Sequence, residues 1–241
     1  MRCGRVESPT GNGPGATRES LEIDMSQVKA RYGFEGVPLE PVPAGTNLLV
    51  TGPSLGGLRQ LSLSLLSGPA DEGVLLVTAD VSASEVVADF EAVGGDADPG
   101  KMCLVDCTHE SDGTESDRVH GVATPADLTG IGMSLSALYE QLYDDGLQRV
   151  RVGVYTLGPL LVYADDVRPV YRFLHTVAGR VRAADGLGVC AVDPAAHDER
   201  TIRSVAQAFD GRVELREGDA GHQLRVRGLS GQPGGWLDVT L

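Results

Sequence analysis

The sequence predicts an α/β domain whose central sheet is mostly parallel and closes with antiparallel strands. Three observations carry this. Short β-rich runs alternate with stretches of helical period along most of the chain, the signature of a sheet covered by helices. The run GVLLVTAD (Gly73–Asp80) is continuously apolar where an edge or one-sided strand would alternate, so it reads as buried on both faces. The last third changes character: GRVELREG, HQLRVRG and WLDVTL alternate apolar with polar residues and are separated by turns, as antiparallel strands are.

Residues 1–24 are rich in Gly, Pro, Ser and Thr, lack hydrophobic period and read as a disordered tail, with Met25 as an alternative start; residues 25–241 read as one domain. The first parallel strand is Asn47–Thr51. A glycine loop follows, then a helix through LRQLSLSLL. After GVLLVTAD, Ser82 and Glu85 form a capping box for the helix SASEVVADFEAV, which Gly94–Gly95 ends. KMCLVD is the next strand. Cys107 to Gly130 reads as a long acidic loop, and SLSALYEQLYDDG as a helix. The strand VRVGVY precedes the longest helix, Asp166 to Ala184, with Val167, Val170, Tyr171, Leu174, Val177 and Val181 on one stripe. LGVCAVD is a strand and DERTIRSVAQAF a helix. No internal repeat is visible.

Net charge is −14, and only two of the 20 basic residues, Lys29 and Lys101, are Lys. Excess carboxylate with so little Lys suits a cytoplasm at molar salt, where screening suppresses self-repulsion. A GC-rich genome, which favours Arg over Lys, gives the same bias. Either origin argues against sequence-independent nucleic-acid binding, which needs cations on phosphates and weakens steeply with salt. The N-terminal stretch has no signal-peptide centre and no run is long enough to span a membrane, so a cytoplasmic protein is expected, with free thiols at Cys3, Cys103, Cys107 and Cys190.

The loop after the first strand, Gly52-Pro53-Ser54-Leu55-Gly56-Gly57-Leu58-Arg59, has the layout of a phosphate loop. The approach VPAGTNLLVTGPSLGG, the block VLLVTADVSASEVVADFEAVGGD, the strand and segment VRVGVYTLGPLLVYADD, and AVDPAAHDERTIRSVAQAFDGRVELRE resemble, in order, the motifs of the RecA-like ATPases of the KaiC branch. DLTGIGMSLSALYEQL, YRFLHTVAGRVRAADGLGV and LRVRGL are similar to KaiC-like proteins of halophilic archaea. The resemblance covers roughly residues 36–230 and implies a RecA-like three-layer sandwich that binds ATP or ADP.

The same resemblance exposes what is missing. Its phosphate-binding Lys and metal-holding Ser/Thr correspond to Leu58 and Arg59. Its Walker B Asp corresponds to Tyr155, followed by Thr156, and its catalytic Glu pair begins at Asp80. The glycines Gly52, Gly56 and Gly57, with Ser54, would keep the cradle of N–H donors, but no residue is left to hold Mg²⁺. Leu58 is expected to fill the space of a nucleotide. Phosphoryl transfer rests on positioning and cationic charge, each such contact contributing about 3–4 kcal/mol, so a degenerate, non-hydrolysing member with a regulatory or assembly role is expected. Its partners would be copies of itself or an active KaiC-like protein. A nucleotide sensor and a DNA-associated regulator stay open as alternatives.

Arg149/Arg151, Arg180/Arg182 and Arg225/Arg227 form Arg-x-Arg pairs, expected to pair with carboxylates. His175, four residues from Tyr171, is expected to be a core histidine. His109 and His120, with Asp106 or Asp112, form a weak metal-site pattern.

Overall fold

The structure, a computed structural model, describes residue 1 and residues 30–108, 116–164, 166–218 and 221–241. Residues 2–24 of the expected tail, which include Cys3, together with Met25, Lys29, His109 and Asp112, lie outside the described residues.

β1 (Arg31–Tyr32) and β2 (Val42–Pro43) form a small antiparallel ribbon. The main sheet has nine strands: β3 (Asn47–Thr51), β4 (Glu72–Thr78), β5 (Met102–Asp106), β6 (Val119–Gly121), β7 (Arg149–Val154), β8 (Leu187–Val192), β9 (Gly211–Gly218), β10 (Gly221–Arg227) and β11 (Leu237–Val239). Their spatial order is β11-β10-β9-β3-β8-β7-β4-β5-β6. Every neighbouring pair from β9 to β6 is parallel, and β10 and β11 add antiparallel. The central strands are buried along their length because helices cover both faces. The predicted fold class holds, with the antiparallel end placed where alternation begins.

On one face lie α1 (Leu58–Leu66) and α2 (Ala83–Ala92). Leu61, Leu65, Val86 and Phe90 pack there on Val50, Val74 and Leu76. On the other face lie α3 (Leu128–Asp144), the short α4 (Gly158–Val162), α5 (Val167–Ala183) and α6 (Glu199–Ala206). Ile131, Leu138, Val170, Leu174 and Val205 pack on Leu75, Val77 and Val152. Ser82 caps α2 as its capping box predicts, accepting from Glu85 N at 3.3 Å. Among the described residues no helix is long and apolar enough to cross a membrane.

Two expectations change. Cys107 to Gly130 is not wholly irregular: it contains β6, and α3 starts at Leu128, with the Asp127 carboxylate accepting from Gly130 N at 2.8 Å. Gly130 and Gly132 hide that first turn, since glycine weakens a helical pattern without breaking one that is capped and packed. His175 is exposed, tilted against the Tyr171 ring with centroids 5.9 Å apart. It falls just off the buried stripe of Val170, Phe173, Leu174, Ala178 and Val181.

The Arg pairs do meet carboxylates. Glu72 holds Arg149 and Arg151, Asp210 holds Arg182, and Glu214 holds Arg225 and Arg227. Arg180 is the exception, bonding Gly132 O and Ser136 Oγ instead.

Candidate functional site

At the carboxyl ends of parallel strands, loops converge and ligands of open α/β sheets bind. Here the loop after β3 meets the ends of β4, β7 and β8. Gly57 caps α1 in the left-handed region, φ 82°, a conformation glycine adopts without a Cβ penalty. No side chain caps this helix and its first turn holds no acidic residue.

The loop's polar groups are engaged internally. The Asp193 carboxylate, at the end of β8, accepts from both Ser54 N (2.9 Å) and Ser54 Oγ (2.8 Å). Gly56 N donates to Pro53 O at 3.0 Å. Burial raises the Asp193 pKa, but the donors of Ser54 and Ala195 outweigh it and hold the carboxyl below its ordinary range. Over Gly57 lie the His222 ring and the Leu241 side chain: a Cβ built on Gly57 would stand 2.5 Å from Leu241 Cδ1 and 3.3 Å from His222 Nε2.

Arg59 closes sideways. Its guanidinium donates to Asp80 Oδ2 at 2.6 Å and sits 5.2 Å from the centroid of the Tyr155 ring. The Tyr155 hydroxyl donates to the Asp89 carboxylate on α2, and the ring is fully buried. Burial, reinforced by Asp89, pushes the Tyr155 phenol far above its ordinary value, so it stays protonated. Burial also raises the Asp80 carboxyl against the opposing pull of Arg59. Thr156 Oγ1 accepts from Gly158 N at 3.3 Å at the start of α4. Leu58 is 3% exposed and packs in the core with Leu61, and it does not line the cleft beside Arg59.

The structure therefore brings together Ser54, Arg59, Asp80 and Tyr155, all singled out from sequence, and sends Leu58 inward. It adds Asp193 and Asp89, which sequence reading missed. Asp193 had one signal: it is the carboxylate that ends an apolar strand at the edge where loops converge.

Beside Arg59 opens a cleft of about 650 Å³, lined among others by Glu35, Ser54, Glu85 and Asp89. Three carboxylates face one guanidinium there, the reverse of what a polyphosphate requires. No cluster of three His, Cys, Asp or Glu suited to a metal occurs among the described residues. Cys103, Cys107 and Cys190 are buried free thiols, and burial pushes Cys107 and Cys190 up to about 12, which removes them as nucleophiles.

Sheet order, helix placement and the glycine turn after β3 define a RecA/KaiC-like domain. A solved structure, the KaiC-like protein PH0186 from the hyperthermophilic archaeon Pyrococcus horikoshii OT3, resembles it with a TM-score of 0.60 over 86% of this chain and 91% of that one. At 15% identity, that likeness establishes the fold. The chain belongs to the family described as "Family of unknown function (DUF7504)", which matches residues 45–215, from the approach to β3 into β9. A comparison with curated proteins finds no match.

Proposed function

We propose that the protein is a degenerate KaiC-like domain of an acidic, salt-adapted cytoplasm. It has lost ATP hydrolysis and acts in regulation or assembly, on copies of itself or on an active KaiC-like relative. One observation carries the reading: where an ATPase of this fold would place a free cation and metal ligands, this chain has an ion pair closed on itself, Arg59 on Asp80 at 2.6 Å. Asp193 occupies the Ser54 N–H in the same sense, as an internal anion in the cradle. Phosphate binding would have to displace two carboxylates and then meet Glu85 and Asp89 in the cleft. Tyr155 and Thr156 at the Walker B position offer no carboxylate for Mg²⁺. The engagement of Arg149, Arg151, Arg225 and Arg227 by Glu72 and Glu214 weighs against a DNA-associated regulator.

A second reading, a nucleotide sensor that does not hydrolyse, is favoured by the uncapped start of α1, whose first turn carries no acid to compete with a phosphate. Calorimetric titration of ATP and of ADP in molar KCl, with and without Mg²⁺, separates the two. We expect no saturable heat from folded protein in any arm. A saturable isotherm would overturn the closed-site reading in favour of the sensor, and Mg²⁺ dependence with turnover would overturn both.

A further inference from the structure

The α3/α5 face holds a cavity set apart from the glycine loop and its cleft. A gap of about 380 Å³ opens between these helices. Leu75 of β4 and Val152 of β7 form its floor, and Leu135, Val177 and Val181 its walls. An outer trough of about 660 Å³ continues along the same helices past Met133 and Phe173, sharing Ser136, Glu140, Val177 and Arg180 with the inner chamber. Met133 is 69% exposed there, an apolar side chain left to solvent at the edge of an apolar cavity.

Ser136, Glu140 and Arg180 stand at the boundary between chamber and trough, and Tyr139 lines the chamber alone. Arg180 reaches from α5 to α3, its Nη1 donating to Gly132 O at 3.1 Å and to Ser136 Oγ. Both acceptors are neutral. Among the described residues neither Arg180 nor Arg172, which lines the outer trough, has a carboxylate partner, although Arg149, Arg151, Arg182, Arg225 and Arg227 all do. A guanidinium has five N–H donors. Nε and Nη2 of Arg180 therefore remain to form a two-pronged grip on a carboxylate. Glu140 lines both spaces, so the rim carries two cations against one anion in a chain whose net charge is −14.

We infer that this gap is a binding site for a single-chain alkyl carboxylate, with the tail in the chamber over Leu75 and Val152 and the head group on Arg180. The volume lies within the range of small-molecule sites, which are apolar with a few fixed polar groups. Burying an alkyl chain against this apolar lining removes apolar surface from water, which favours binding. The Arg180 guanidinium selects the head group, since a neutral head would gain no charge-assisted bond. The site lies on the opposite face of the sheet from α1 and is independent of the nucleotide reading.

The test is calorimetric titration of decanoate, below its micellar concentration, into the protein in molar KCl, with decanol as the neutral match. Saturable one-to-one binding of decanoate is expected, at least tenfold tighter than decanol. Arg180→Gln should weaken decanoate about tenfold and leave decanol unchanged. Val177→Phe, which fills the chamber, should abolish both while the melting temperature holds or rises, showing that the variant folds. Equal affinity for decanoate and decanol, full affinity in Arg180→Gln, or no saturable heat from the folded wild type would each overturn the assignment. So would undiminished binding in folded Val177→Phe.

Discussion

Asp80 is the residue on which the closed site turns, and its titration gives a sign that can be measured. Burial lifts its carboxyl above the ordinary 3.8, and the charge and hydrogen bond of Arg59 only partly pull it back. A carboxyl raised in the folded state binds protons more tightly there than in the unfolded chain. Its ionisation therefore lowers stability as pH rises from 3.8 through the folded value. At pH 7 the ionised carboxylate carries a burial cost that Arg59 only partly offsets, and the half-exposed Arg59 can turn to water if released. Asp80→Asn is thus expected to melt at the same temperature as wild type or higher at pH 7. That advantage should vanish below pH 3.8, where Asp80 is protonated folded and unfolded alike. Thermal melts of both proteins across that range decide it: a loss of several degrees at pH 7 would mean that Arg59 returns more than burial takes. Arg59 could be picked out in the sequence because it follows the glycine turn at a phosphate-loop position, and Asp80 and Tyr155 because their strands resemble motifs of the KaiC branch. The pairings of Asp193 and Asp89 could not, because they meet Ser54 and Tyr155 across 139 and 66 residues of chain, a separation no local pattern encodes.

At the scale of elements, the opposite end of the sheet is fastened by charge. Glu72, 2% exposed at the start of β4, reaches Arg151 Nε at 2.6 Å and Arg149 Nη2 at 2.5 Å on β7. Arg151, fully buried, also donates to Leu65 O (2.8 Å) at the end of α1 and to Gly33 O (2.9 Å) after β1. One guanidinium thereby satisfies a helix-terminal carbonyl and ties the segment following β1 to the sheet. Arg149 adds a contact over the Tyr32 ring, 4.3 Å from its centroid. Removing the shared carboxylate leaves a buried cation without its counter-charge, so Glu72→Ala should cost about 3–5 kcal/mol. Arg149→Ala should cost much less, since that side chain is 28% exposed and a pair with one solvated partner contributes little. Denaturant unfolding at fixed salt measures both, and a Glu72→Ala cost under about 1 kcal/mol would refute the role given to the triad. The strands this triad joins were legible as apolar runs. β1, β2, β6 and α4 were not, because two to five residues carry no period and are held in place only by the larger elements beside them.

The whole molecule carries its charge unevenly. Most guanidiniums are spent inside or in pairs, Arg172 and Arg180 on the α3/α5 face excepted, with Glu214 taking Arg225 and Arg227 on the outer sheet face, and Trp236 stacking over Arg216 at 3.9 Å and Arg225 at 4.4 Å. The balance of the whole chain is carboxylate, a net charge of −14. At low ionic strength these charges repel across the surface and favour the expanded chain, whereas at 1 M salt the screening length falls to about 3 Å and only contact pairs still act. Added salt also weakens the exposed pairs such as Arg203–Glu199 and Arg168–Asp166, but those contribute little, while Glu72 and Arg151 are too buried to be screened. Salt therefore removes more repulsion than attraction. The melting temperature should climb steadily as KCl rises from tens of millimolar to molar, and NaCl should act alike, because screening does not distinguish the two cations. Circular-dichroism melts over a KCl series give the answer directly. A flat or falling curve would mean that the ion pairs outweigh the repulsion, and it would remove the physical basis for reading the acidity as adaptation to salt.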